Sequence, residues 1–380
     1  RERVPDIGAV RLALEGAFET TVLGTLAPGP AIPPRPLWRR ALPVVAAVVA
    51  SAMVGAAAWT LKPTPPLAVS RFTFALGEGQ QFTNTLLQSI ALTPDGTRVA
   101  YAANGALYVR TLSEIEPRLT PGTGAAQGAA FSIAFSPDGR SLVFWSLAGG
   151  GMLKRIDVGG GAAVTICPAD VPLGVSWDST GIVFGQGAKG VMRVPASGGK
   201  PEVIARLKDG EFAEAPQMLP DGTHVLFTLA ASTGADRWAR ARVVVQAVSS
   251  PVQEVIIEGG TDARYLPTGH IVYAVGGVLF AVAFDLARMK VIGNPVAVAA
   301  GVRRSPDLTV SGTAHFSISQ SGTLIYVPGV VGDAGSQNVF YLHGALHVFD
   351  AGAEVQKYTW CNTGVALVEQ IREALRENRY

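Results

Sequence analysis

A short turn recurs along this chain and governs what it folds into. "LTPDGTRVAYAANGALYVRTL" begins at Leu92, "FSPDGRSLVFWSLAGGGMLKRIDV" at Phe135, "SWDSTGIVFGQGAKGVMRVPA" at Ser176 and "MLPDGTHVLFTLA" at Met218. "YLPTGHIVYAVGGVLFAVAFD" follows at Tyr265 and "ISQSGTLIYVPG" at Ile318. The Asp position or its equivalent falls at Asp95, Asp138, Asp178, Asp221, Thr268 and Ser321, at spacings of 43, 40, 43, 47 and 53 residues. A period of about 40–50 residues with several short strands per unit is the signature of a propeller. The turn chemistry explains the repeated residues. Gly96, Gly139 and Gly222 supply the positive φ that a tight hairpin needs. Asp95, Asp138 and Asp221 bond neighbouring backbone amides, and the preceding proline presets φ. These six residues are structural turn positions.

Each unit has one grammar. An entry strand leads into the turn, and an alternating apolar strand follows ("RVAYAA", "SLVFWS", "GIVFGQ", "HVLFTL", "HIVYAV", "TLIYVP"). A third strand comes next, then a Gly- or Ser-rich hairpin and an outer strand ("GGGAAVTIC", "SGGKPEVIA", "SSPVQEVII"). The expected fold is all-β, a six-bladed propeller over 69–335 whose last blade is incomplete. "VSRFTFALGEGQQF" (69–82) is expected to supply a strand that closes the ring. The pattern resembles the TolB-like, WD-repeat-like propellers of bacteria. That resemblance implies a platform that exposes loops at two faces around a central funnel.

Residues 41–61 ("ALPVVAAVVASAMVGAAAWTL") carry no charge. As a helix they would span roughly 32 Å, against a hydrocarbon core of about 30 Å. Trp38 and Trp59 sit at the two ends, where amphipathic rings favour the interface. Arg35, Arg39 and Arg40 flank one side and Lys62 the other. This pattern predicts a single transmembrane helix in the inner membrane, with a cytoplasmic N-terminus and an extracytoplasmic propeller. A cleaved signal peptide fits less well, because the apolar run is long and some 40 residues precede it.

Upstream, "PDIGAVRLALEGAF" (5–18) reads as an amphipathic helix capped by Asp6, with Ile7, Val10, Leu14 and Phe18 on one stripe. "APGPAIPPRP" (27–36) reads as an extended Pro-rich linker. "RERVPDIGAVRLALEGAF" and the order of the segments after it resemble the end of the kinase lobe, linker, anchor and propeller of bacterial receptor-type serine/threonine kinases. The expected organisation is a kinase-lobe helix over 1–26, a juxtamembrane linker over 27–40, the transmembrane helix, the propeller, and an unrelated tail over 336–380. The opening residues read as the interior of a longer protein. No kinase motif occurs in this sequence: there is no Gly-rich loop, V-A-I-K, H-R-D or D-F-G. The tail holds a strand-like run and a charged helix over about 364–378, and reads as a foreign splice or a frameshifted reading of the gene. Its "L-H-G" element resembles part of a sirtuin-like bacterial family, which would imply NAD consumption, but the Gly-rich dinucleotide loop is missing.

Other constellations point to structure. His343 and His347 have a zinc-like spacing, but they lie on an alternating strand with no third ligand. One carboxylate per turn makes no calcium cage of Asp95, Asp138 and Asp221. "GGGM", "GGGA" and "SGGK" lie between strands, without the following helix that a phosphate cradle needs. Cys167 and Cys361 allow one disulfide at most and read as separate buried thiols. "ADRWARARVVV" (235–245) sets three arginines around Trp238 and reads as a solvated loop, with a nucleic-acid patch or a protein or ligand contact as the alternatives. A net charge of +2 gives no electrostatic draw to nucleic acid. The expected function is therefore a non-catalytic sensor or protein-interaction domain, in a fragment of a receptor-type serine/threonine kinase that lacks its catalytic domain, with no cofactor or metal. The expected partners are the bilayer, through 41–61, and an unknown protein or small ligand on a propeller face. A stand-alone periplasmic scaffold is the first alternative, and a sirtuin-like enzyme acting through the tail is the second.

Overall fold

The computed structural model describes residues 47–55, 70–82, 85–124, 130–231, 234, 236–329 and 338–343. The chain divides into two units, Arg1–Pro66 and Leu67–Tyr380. In the first unit, residues 47–55 are helical. Among the described residues no helix is long and apolar enough to cross a membrane. The rest of the expected span lies outside the described residues, as do Trp38, Arg39, Arg40 and Trp59, the helix expected over 5–18 and the Pro-rich linker.

The second unit is an all-β propeller. It opens with β1 (Ser70–Ala75). Blade I holds β2 (Ile90–Leu92), β3 (Arg98–Ala103), β4 (Ala106–Thr111) and β5 (Arg118–Leu119). Blade II holds β6 (Ala130–Phe135), β7 (Ser141–Ser146), β8 (Met152–Asp157) and β9 (Val164–Pro168). Blade III holds β10 (Val175–Asp178), β11 (Gly181–Gly185), β12 (Val191–Val194) and β13 (Glu202–Ala205). Blade IV holds β14 (Phe212–Met218), β15 (His224–Ala230), β16 (Arg242–Ala247) and β17 (Gln253–Glu258). Blade V holds β18 (Thr261–Leu266), β19 (His270–Val275), β20 (Val278–Asp285) and β21 (Lys290–Ala300). Every blade is an antiparallel sheet in chain order.

Five blades thus come from consecutive strands. A further sheet draws on both ends of the unit. It contains β22 (Phe316–Ile318), β23 (Leu324–Tyr326) and β24 (Asn338–His343), in the order β1-β24-β23-β22. β24 pairs antiparallel with β1 from Ser70↔His343 to Ala75↔Asn338, and with β23 from Leu324↔Leu342 to Tyr326↔Phe340. A sixth unit that stops short after "IYVPG" is therefore not what is observed. The boundary expected at 335 falls inside this sheet, which takes a strand from the segment read as a foreign tail. The alternation in "NVFYLH" made the strand legible, but its partners lie some 270 residues upstream and close by in β23. Residues 344–380, with His347 and Cys361, lie outside the described residues.

The apolar residues of the second and third strands explain the stacking. Each strand alternates, so both sheet faces carry large side chains and both are covered. Leu107, Phe144 and Ile156 fill the seam between blades I and II. Val183, Met218 and Phe227 fill that between III and IV, and Leu226, Ile271 and Phe284 that between IV and V. Val272, Phe316 and Leu324 join blade V to the closing sheet, and Phe74, Ile325 and Tyr101 join that sheet to blade I.

Backbone geometry is most demanding at Gly190, in the β11–β12 hairpin. Its φ is +92°, and a Cβ there would lie 2.1 Å from the Ala205 carbonyl oxygen of the adjacent strand. Gly190→Ala is expected to cost at least about 2 kcal/mol, from left-handed strain and a clash with backbone that cannot swing aside. Gly150→Ala, at φ +88° with nothing within 4 Å, pays the strain alone and should cost about 1 kcal/mol. Chemical denaturation of the two variants separates the contributions; equal losses would remove the clash argument.

Candidate functional site

Two ends of the entry strands carry the polar groups. At one end lie the Asp-Gly turns. In blade I the Gly96 N–H donates to the Thr93 carbonyl at 2.9 Å, and Gly96 has φ +74°. Asp95 Oδ1 accepts the Thr97 N–H at 3.0 Å and the Thr97 hydroxyl at 2.8 Å. Blade II repeats this: the Gly139 N–H donates to Ser136 O at 2.8 Å, and Asp138 Oδ1 accepts the Arg140 N–H at 3.0 Å and the Ser136 hydroxyl at 2.6 Å. In blade IV Asp221 Oδ1 accepts the Thr223 and His224 amides, each at 3.1 Å, and the Gly222 N–H donates to Leu219 O at 2.9 Å. The hydroxyls of Thr93 and Ser136 hold the carboxyls of Asp95 and Asp138 below the usual carboxylate range, with the turn amides adding to the effect.

The turns of blades I and II meet that of the closing sheet. There Gln320 donates its N–H to the Pro94 carbonyl, and the Ser321 hydroxyl donates to Asp95 O at 3.0 Å. Between them is an open pocket of about 260 Å³, lined by Thr93, Asp95, Pro137, Asp138, Gly139 and Gln320. One oxygen of each carboxylate serves its own turn. The turn-forming residues expected from the sequence therefore also surround this opening.

The opposite end is closed. Entry strands β6, β14 and β18 are each broken by a bulge, with Ser132, Ala215 and Asp262 at φ +48°, +53° and +53°. Left-handed backbone at non-glycine residues is strained, so neighbours must hold it. Ala215 donates its N–H to Leu173 O at 2.8 Å, the Ser132 hydroxyl donates to Pro172 O at 2.9 Å, and the Asp262 N–H donates to Thr228 Oγ1 at 3.0 Å.

Into this end runs the connection from β21 to β22, residues 301–315. Glu214 of β14 accepts the Gly312 N–H on both oxygens, at 3.1 and 2.8 Å, and the Thr313 hydroxyl at 3.0 Å. Asp262 accepts the Ala314 N–H at 2.6 Å and Arg264 at 3.1 Å. Both carboxyls are fully buried. Burial, and then the charge of Asp262, raises the Glu214 pKa to about 8; burial raises Asp262 as well. Arg304 is buried near both, and burial lowers its own pKa. His315 Nε2 donates to Thr85 O at 2.8 Å, so its Nδ1 accepts the Ser89 hydroxyl at 2.9 Å. Burial pushes this imidazole down to about 4.

The Arg-rich insertion packs onto the same end through Trp238 and Arg237, while Asp236, Ala239 and Arg240 are exposed, so its reading as a solvated loop is corrected at Trp238 and Arg237. Trp238 is 1% exposed and shares a core with Leu87, Trp145, Leu173 and Phe184. Arg237 stacks 4.5 Å over the Phe212 ring and donates to the Thr309 carbonyl. Cys167 is a free, buried thiol raised to about 11 by that burial. His343 ends β24. Among the described residues no group of three or more His, Cys, Asp or Glu is placed to hold a metal ion. Sequence reasoning passed over Glu214, Asp262 and His315. The signal was available: a lone acid or histidine inside an apolar strand or at its start, in "FAEAPQM", "TDARYL" and "TAHFSI".

Neither a protein-family model nor a curated protein matches the chain. Solved structures do. TolB from Acinetobacter baumannii is 16% identical over 56% of this chain, with a TM-score of 0.42, and this chain spans about half (54%) of its length. A TolB-type protein from Agrobacterium tumefaciens is 15% identical over 73% of this chain and 98% of its own, with a TM-score of 0.47. The PQQ-bound aldose sugar dehydrogenase of Streptomyces coelicolor is 13% identical over 74% of this chain and 99% of its own, with a TM-score of 0.50. The neighbours thus include both TolB-type proteins and an enzyme. At these identities the likeness is one of fold, and the fold is the β-propeller.

Proposed function

We propose that the propeller is a non-catalytic binding platform, held at the outer face of the inner membrane, that engages a protein or small ligand through its turn face. The observation that carries this reading is the asymmetry of the two ends. The ionisable groups at the closed end are all occupied: Glu214 and Asp262 by the connection that seals it, and His315 of that connection by Thr85 and Ser89. The turn face instead offers an open pocket with proline, carboxylate and amide groups at its wall. In this reading the closing sheet is the sixth blade.

The anchor reading is supported by the 47–55 helix, in which Val48, Val49, Met53 and Val54 are 50–69% exposed. A helix apolar and exposed on all sides suits lipid. The kinase-fragment reading rests on the resemblance of residues 1–18 and on the order of the segments. The stand-alone periplasmic scaffold remains the alternative.

A photo-crosslinking residue at Gln320, on the turn face, is expected to trap a discrete adduct in living cells. The same residue at Val255, on outer strand β17, should trap none. Adducts at both positions, or at neither, would count against the platform. Protease added outside spheroplasts should digest the propeller; digestion only after lysis would reverse the orientation.

A further inference from the structure

We propose that the connection over 301–315 is a proton-operated latch: it closes onto β14 and β18 while the Glu214–Asp262 pair keeps a proton, and it releases when both carboxyls ionise. The geometry is that of a clasp. The 311–315 stretch is extended, so alternate amides face the same way. Those of Gly312 and Ala314 turn to the two carboxyls. The Thr313 carbonyl and the His315 amide turn the other way, to the connection's own first limb: Thr313 O accepts from Ser305, and the His315 N–H donates to Arg303 O. One short segment thereby joins blades IV and V to the closing sheet. It also reaches the connection between β1 and β2, because Ser311 donates its hydroxyl to the Leu86 carbonyl.

The segment carries no strand of its own; besides the clasp it is held by backbone bonds from Val302 to Gly277 O and from Arg303 to Val327 O. Within it are two isolated bridges, Val302↔Pro328 and Arg304↔Ala314, and residues 306, 307 and 309 are exposed. Release would break the clasp's carboxyl bonds together with the backbone bonds of Val302 to Gly277 and of Arg303 and His315 to Val327, and would leave the blade ladders intact.

The charges around the clasp set the direction. Asp262 faces Glu214 from β18, and Arg264 of the same strand pairs with Asp262. Arg303, Arg304 and His315 come from the connection, and Arg237 from the β15–β16 insertion, stacked on Phe212. Residues 85–89 bring only hydroxyl, amide and apolar groups. Two carboxylates buried side by side cannot both ionise cheaply, even beside arginines. In the closed state Glu214 keeps its proton up to about pH 8; once released into water it would titrate near its ordinary 4.5. Opening between those limits frees one proton. The opening equilibrium should therefore rise up to about tenfold per pH unit. The channel end opposite the turn pocket would then gain access to solvent as the surroundings become alkaline.

Amide hydrogen exchange of the whole protein from pH 6.5 to 8, corrected for intrinsic rates, tests the latch. His315 stays neutral in the closed state across that window; once released it would be half protonated at pH 6.5 and largely neutral above about pH 7.5, which makes the climb shallower at the lower end. The expected result is an opening constant at 311–316 that climbs severalfold per unit, toward the limit of about tenfold, while Val143 and Phe144 in β7 keep constant protection. Glu214→Gln, a neutral isostere, should flatten the climb. If that variant does not fold, Asp262→Asn removes the like charge and should shift the climb to lower pH. An equal climb in wild type and Glu214→Gln overturns the proposal. So does an equal climb in β7, which would mark global unfolding.

Discussion

Trp238→Ala is expected to lower stability by about 3–5 kcal/mol, the cost of deleting a fully buried aromatic side chain. For a unit of this size that is a drop of roughly 10 °C in melting temperature. The reason lies in where a surface-like sequence puts its one large apolar residue. Trp238 belongs to an insertion rich in arginine, yet its ring is 1% exposed and packs with side chains of blades II and III and with Leu87. It also abuts the latch: a Cβ built on Gly312 would lie 3.0 Å from the Trp238 Cβ and 2.8 Å from Glu214 Oε2. Removing the ring leaves a cavity where three blades and the ring-closing connection converge. Trp238→Phe separates bulk from polarity. The Trp238 Nε1–H is buried without a hydrogen-bond partner, so losing it relieves an unsatisfied donor. Trp238→Phe should therefore stay within about 1.5 kcal/mol of wild type. Thermal unfolding of both variants decides the matter. A shift below about 1 kcal/mol for Trp238→Ala would return this residue to the solvated loop that its neighbours in sequence suggested.

The contrast between Trp238 and the turns shows what could be read from the sequence alone. The turns were legible because their requirements are local. Gly96, Gly139 and Gly222 adopt φ of +74°, +67° and +67°, and each Asp bonds an amide two residues on. The strands after them were legible because alternation is also local: "RVAYAA", "SLVFWS" and "HIVYAV" are β3, β7 and β19 to the residue. What escaped depends on distance. β24 finds β1 across some 270 residues, and Glu214 meets Gly312 across 98. A carboxylate's place in a strand says nothing of which amide will reach it. The 260 Å³ pocket was equally invisible, since three turns must be brought together before it exists. The repeat predicted the architecture because every unit solves the same local problem, whereas the polar groups at the two ends arise where the units meet.

His315 provides the second large effect, which wild type conceals. Its folded pKa of about 4 lies below the ordinary 6.5. The unfolded chain therefore binds more protons between those values, and stability is lost as pH falls through that window, by up to about 1.4 kcal/mol per unit. Glu214 acts in the opposite sense. Its folded value of about 8 exceeds the ordinary 4.5, so the folded chain holds the extra proton, and stability falls as pH rises from 4.5 to 8. The two slopes overlap between pH 4.5 and 6.5 and largely cancel. Substitution at either residue should uncover the other. His315→Gln is expected to be less stable than wild type at pH 7, because the bonds to Thr85 and Ser89 are weakened. That gap should then narrow by about 3 kcal/mol on acidification to pH 4, where wild type must either protonate a buried ring or unfold. The turn carboxylates Asp95 and Asp138 titrate alike in both proteins, so they drop out of the difference. Denaturant titrations of the pair at half-unit pH steps measure this gap directly. A gap that stays constant from pH 7 to pH 4 would mean that the imidazole titrates as freely in the folded chain as in the unfolded one, and that the seam between the closing connection and blade I is open to water.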